Sequence, residues 1–167
     1  MKIKSVSHSK VTMSTVMLPH HANPAGNVHG GEIMKLMDTA AGVVAHRHAR
    51  SNVVTARVDE LVFHHPVRIG NVVNCYGQLT FVGRSSMEIA VTVTVEDLSK
   101  EEPEKTALTA FFTFVSLDEK GKPQPVPTLE IGSEDERCLF EQGQQRYLAY
   151  KERGREQACK IPIQSNP

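Results

Sequence analysis

EIMKLMDTAAGVVAHRHA, residues 32–49, is the stretch on which the fold turns. Its apolar residues recur at Ile33, Met37, Ala40, Ala41, Val44 and Ala45, the three-and-four spacing of a helix face about 27 Å long. The middle of that face is built of Ala40, Ala41, Gly42 and Ala45, side chains small enough for a neighbouring element to approach the backbone closely. Gly42 costs the helix roughly 1 kcal/mol of propensity, and tight packing is expected to compensate.

Outward from this segment the chain reads as strand. Before it, Val11, Met13, Thr15 and Met17 alternate with Thr12, Ser14 and Val16, a first strand that Pro19 and Pro24 then close off with a loop. After it, Asn52 to Phe63 is rich in β-branched residues, Asn71 to Val82 and Met87 to Val95 alternate, and Thr106 to Leu117 puts Ala110, Phe112 and Phe114 on one face. Gly83 and Arg84 make a tight connection, and Leu98 to Lys105 a polar, proline-containing hairpin loop. One long helix after the first strand, followed by about four long strands, is not an alternating α/β pattern. The remaining solution is α+β, a curved antiparallel sheet wrapped around the helix. With one helix covering only the concave face, strand edges and the other surface are left for subunit contacts, so an oligomer is expected.

Three prolines between Gly121 and Pro127 end the sheet. Ser133 to Arg153 is charged and glutamine-rich, with Leu139, Phe140, Tyr147 and Leu148 as apolar anchors, and is expected to be a docked helix. The division is therefore a domain at 1–130 and a helical tail at 131–167, whose last dozen residues are expected to be disordered.

The 167 residues suffice for one core. Lysine plus arginine and aspartate plus glutamate are both 19, so no basic excess points to a nucleic acid or an anionic membrane. No run of about eighteen apolar residues offers a membrane span, and no secretion signal follows Met1 to Lys10. Cys75, Cys138 and Cys159 are spaced for neither a disulfide framework nor a metal site, which fits a reducing, cytoplasmic setting. The histidine pairs at 20–21, 46 and 48, and 64–65 form no HExxH motif, and no metal is expected.

Chemistry concentrates where NPAGNVHGG, residues 23–31, enters the helix. Gly30 and Gly31 expose backbone N–H groups at the positive end of the dipole, which makes an oxyanion hole, although an ordinary glycine turn looks the same. Asp38 follows Met34 by four residues, with Ala41 and Ala45 further along, which sets a carboxylate on an apolar surface, as a general base near neutrality needs. Alternatively it lies at the flank of that face and meets an arginine or a loop amide. Gly31 and Asp38 are about 10 Å apart along the axis, too far for one helix to hold a carbonyl and attack it, so a symmetric partner is expected to supply the acid.

NPAGNVHGG, EIMKLMD and TAAGVVAHRHA, with DELVFHHPVRIGN at 59–71 and FVGRSSMEIAVTV at 81–93, together resemble the hotdog-fold acyl-CoA thioesterases of the long-chain, broad-range cytosolic type. The resemblance covers most of Val11 to Pro127. It implies the hotdog fold, a catalytic pair of Asn23 and Asp38 from different subunits, and Gly30 or Gly31 on the thioester oxygen; Asn27 competes with Asn23 for the asparagine role. It also implies that Gly83, Arg84, Ser85 and Ser86 meet the nucleotide end of coenzyme A, although Arg84 also reads as a plain surface turn. Acyl-CoA is then the substrate, coenzyme A a part of it and no separate cofactor is required. The implied assembly is a trimer of hotdog dimers. Asn71 departs from the aspartate that relatives commonly carry there. A non-catalytic acyl-CoA or nucleotide sensor remains open, as does a hotdog dehydratase using His64 or His65.

Overall fold

The computed structural model describes residues 2–156. In chain order the elements are β1 (Ile3–Ser5), β2 (Val11–Val16), α1 (Gly30–Ala49), β3 (Asn52–Phe63), β4 (Val72–Val82), β5 (Ser86–Glu96), β6 (Lys105–Leu117), β7 (Thr128–Glu130) and α2 (Glu134–Glu156). Five strands form one antiparallel sheet in the order β2-β4-β5-β6-β3, while β1 and β7 pair in parallel beside it. This is the helix-in-sheet hotdog architecture expected from the sequence. The two three-residue strands are additions, too short for alternation to reveal. Cys159 and the expected disordered end lie outside the described residues.

Helix α1 buries Ile33, Met37, Ala40, Ala41, Val44 and Ala45 against the concave face of the sheet. A Cβ added at Gly77 of β4 would stand 3.1 Å from the side chains of Val11 and Val44, so helix and sheet approach as closely as the glycine permits. His48, fully buried near the helix end, donates from Nε2 to the Pro127 carbonyl at 2.8 Å, and its Nδ1 has no partner among the described residues. Burial holds His48 below the ordinary histidine range; the bond to Pro127 opposes this, while Lys4 and His8 act with burial. As pH falls below 6.5, the unfolded chain takes up a proton that the folded chain refuses, so stability should decline with acid. His48→Gln keeps an N–H for Pro127 without titrating. Its urea midpoint should fall less than that of the parent between neutral and mildly acidic pH; equal declines would remove His48 as the cause.

Helix α2 lies on the outer face. A register shift between Leu79 and Phe81 lets β4 place Leu79 in the core and Phe81 against α2, where the Phe140 and Tyr147 rings lie 5.0 and 5.3 Å away. Arg146 forks onto buried Glu88 at 2.8 and 3.0 Å, and the Thr80 hydroxyl donates to the same carboxylate at 2.7 Å. A Cβ at Gly143 would come within 2.7 Å of both Glu88 Oε1 and the Phe81 Cβ. Intrinsic helix propensity favours Gly143→Ala by about 1 kcal/mol, but the forced shift costs about 1–3 kcal/mol. Sterics should win, and chemical denaturation should find the variant less stable.

Candidate active site

Asp38 stands on the exposed flank of α1, next to edge strand β3, and its Oδ1 accepts the Thr55 hydroxyl at 2.7 Å. Oδ2 has no hydrogen-bond partner and the carboxylate no ion pair among the described residues. The expected apolar surround is therefore corrected. Met37 marks the middle of the buried face, and Asp38, about 100° round from it, stays outside with the longer Met34, while the small side chains of Ala41 and Ala45 near that margin are covered. The partner is neither an arginine nor a loop amide, but a strand hydroxyl.

At the helix entrance, Asn23 Oδ1 accepts the backbone N–H groups of Ala25 at 2.9 Å and Asn27 at 3.2 Å. That pins the side-chain carbonyl and leaves the amide NH₂ as its unspent chemistry. Asn27 instead ties the loop down through its backbone, by a bridge to Arg68 and a carbonyl that accepts the Asn23 N–H at 2.7 Å. His29 is the N-cap, and its Nδ1 accepts the Gly31 N–H at 3.0 Å. Of the two donors expected for an oxyanion, Gly31 is thus engaged by the protein itself, because an imidazole one residue outside the helix reaches back to it. Gly30 N–H has no partner among the described residues. The Phe63 ring of β3 closes over Gly30, where an added Cβ would meet it at 3.0 Å.

The turn at 83–86 has its backbone fixed on three sides. Gly83 N–H donates to the Ser86 carbonyl at 2.8 Å, Ser116 N–H to the Ser85 carbonyl at 2.9 Å, and Val126 N–H to the Arg84 carbonyl at 3.0 Å. Arg84 is exposed with no ion pair among the described residues. Ser86 pairs with Val115 and Val115 with Val54, so the turn is two strands, about 10 Å, from the start of β3.

The predicted residues therefore fall into two groups. Asn23, Gly30 and Gly31 gather at one end of α1; Asp38 and the 83–86 turn lie towards the other. Gly30 and Asp38 are about 12 Å apart along the axis, and one subunit does not bring them together. Between them runs the open edge of β3, with Val54, Val58, Val62 and Phe63 exposed. His64 and His65 bond to Thr109 and to the Thr106 carbonyl beyond the Phe63 end of β3. No cluster of three metal-ligating side chains occurs among the described residues. No helix among them is long and apolar enough to cross a membrane. Thr55 and His29 escaped the sequence reading: the first becomes visible only when α1 is laid over β3, and the second stood in a motif read for its glycines.

Residues 25–102 match the Thioesterase superfamily. The cytosolic acyl coenzyme A thioester hydrolase of Mus musculus is 44% identical over 148 residues, covering 88% of this chain and 39% of that protein, so the chain spans well under half of that relative's length. An uncharacterized acyl-CoA thioester hydrolase of Bacillus subtilis, YkhA, is 38% identical over 88% of this chain and 85% of its own. An apo-hexameric acyl-CoA thioesterase superposes with a TM-score of 0.86 at 32% identity, covering 92% of this chain and 98% of the other. The acyl-CoA hydrolase of Staphylococcus aureus, in complex with butyryl coenzyme A, coenzyme A and coenzyme A disulfide, superposes at 0.84 with 30% identity, covering 92% and 93%. That enzyme has also been solved with an aspartate, an asparagine or a threonine singly replaced by alanine.

Proposed function

Since the chain belongs to the hotdog-fold acyl-CoA thioesterase family, we propose that it hydrolyses acyl-CoA thioesters to a carboxylic acid and free coenzyme A. One observation carries the reading: a carboxylate held by Thr55 through one oxygen and, among the described residues, open at the other, on a helix whose entrance keeps a peptide donor at Gly30 that none of those residues engages. Asp38 Oδ2 takes a proton from water as the water oxygen attacks the thioester carbonyl. The resulting oxyanion is held by the Gly30 N–H of a partner copy, and the Asn23 amide NH₂ orients the water or the carbonyl. As the tetrahedral intermediate collapses, the carbon–sulfur bond breaks and Asp38 returns its proton to the leaving thiolate. Gly31 contributes only when the His29 ring releases it. Aspartate, asparagine and threonine are also the residue types altered in the S. aureus variants, a parallel with Asp38, Asn23 and Thr55.

The two-ended arrangement calls for a second copy. A two-fold axis beside Met34, midway between Gly30 and Asp38, sets each helix entrance against the partner's carboxylate, and the exposed apolar residues of β3 would then be covered. Residues 1–130 form the hydrolase unit; the assembly is a trimer of such dimers, for which a hexameric relative speaks, and the chain works in the cytosol, for which the cytosolic mouse relative speaks. The Arg84 turn receives phosphates of coenzyme A. Incubation with butyryl- and longer acyl-CoAs tests the reading through free thiol. Saturable release is expected; tight binding without release would favour a sensor, and loss of water from a hydroxyacyl-CoA a dehydratase.

A further inference from the structure

Arg50 ends α1 in the left-handed region, at φ 56 and ψ 37. Glycine is the residue this cap position ordinarily carries, because a Cβ is strained there. The conformation closes the helix, the Arg50 N–H donating to the His46 carbonyl at 2.9 Å, which glycine would do without strain; the side chain itself gains nothing within the chain, since Arg50 is exposed and its guanidinium forms no hydrogen bond or ion pair among the described residues. Arg47, one turn earlier, is by contrast engaged with the Lys10 carbonyl at 2.6 Å. A strained backbone holding an uncompensated charge points outward, to a ligand.

The surroundings identify the ligand. Ser51, next in the chain, shares a hydroxyl bond of 2.7 Å with Ser116, and Ser116 N–H donates at 2.9 Å to the carbonyl of Ser85. One buried serine thus links the residue after Arg50 to the turn that carries Arg84, and both arginines are exposed. From Arg50 and Ser51 a shallow, open groove of about 700 Å³ runs back along α1 past Arg47, His46, Val43 and Gly42 to Thr39, the neighbour of Asp38. Its floor is low at Gly42, where an added Cβ would meet nothing nearer than the Phe114 ring at 3.7 Å. Asp38 and Arg50 are about 18 Å apart along the axis, a span suited to a linear arm with a reacting group at one end and anionic groups at the other.

We propose that Arg50 is a substrate-binding residue that, with Arg84, grips the phosphates of coenzyme A while the pantetheine arm lies in the Thr39–His46 groove. This rests on the hydrolase reading and adds to it a residue and a path for the arm. Arg50 acts on binding and not on the reacting atoms, so its loss raises KM and spares kcat.

Arg50→Gly is the decisive variant, because it relieves the left-handed strain while removing the charge. The expected result is a higher Tm together with a KM for acyl-CoA raised roughly tenfold, the size of one charge-assisted contact, at unchanged kcat. With the matching acyl-pantetheine thioester, which lacks the diphosphate, variant and parent should have the same KM. An unchanged KM for acyl-CoA, or an equal rise with both substrates, overturns the proposal. Absence of thiol release by the parent from either substrate would instead count against the hydrolase reading, and binding of acyl-CoA can then be compared between parent and Arg50→Gly by calorimetry, where equal affinities overturn the role of Arg50.

Discussion

Asp38→Ala should lower kcat for acyl-CoA hydrolysis by roughly 10²- to 10⁴-fold, the usual contribution of a positioned general base, with little change in KM. Asp38→Asn should fall as far. The amide keeps an oxygen for the Thr55 hydroxyl and nearly the same shape, yet cannot take a proton from water at neutral pH. Thr55→Ala should lose less, because it leaves the carboxylate present but free to rotate. The order Asp38→Asn well below Thr55→Ala well below parent separates proton transfer from positioning. Because Asp38 is exposed on the subunit and forms no ion pair among the described residues, neither Asp38 substitution should lower Tm appreciably. Free-thiol release at saturating substrate gives the rates; an Asp38→Asn protein retaining more than a tenth of the parental kcat would rule out the base. The buried Cys75, its thiol pushed up to about 12 by burial, should not add to the thiol signal of the native protein.

Long periodic segments carried the fold into the sequence. Helix α1 and strands β3 to β6 lie within one or two residues of where their apolar spacing places them, because each spans enough repeats to average out exceptions. β1 and β7 are three residues long and are held by pairing with each other, which leaves no local pattern to detect. For the site, residue type and motif were legible and mutual arrangement was not. Asp38 could be singled out on its helix, but its exposure depends on how α1 is rotated over the sheet, and Thr55 reaches it only through that placement. His29 occupying the Gly31 N–H is side-chain geometry that two glycines in a row conceal. Arg50 carries a backbone conformation that its residue type argues against, so propensity reasoning passes over it.

Under the proposed two-copy arrangement no single chain owns a complete site. Asn23 and Gly30 stand at one end of α1 and Asp38 about 12 Å away along it, so a chain altered at one end should repair a chain altered at the other. Asn23→Ala and Asp38→Ala proteins, each nearly inactive alone, are co-expressed with different tags and the mixed assemblies isolated. Within a mixed dimer, one site receives both lesions and its twin receives neither. Random pairing of equal amounts should thus restore about a quarter of the parental sites. The converse arrangement is more severe: a chain carrying both substitutions, paired with a parental chain, spoils both sites, since each then draws one residue from the altered copy. Sites contained within one chain would give the opposite pattern, with no recovery in the first mixture and half the activity surviving in the second.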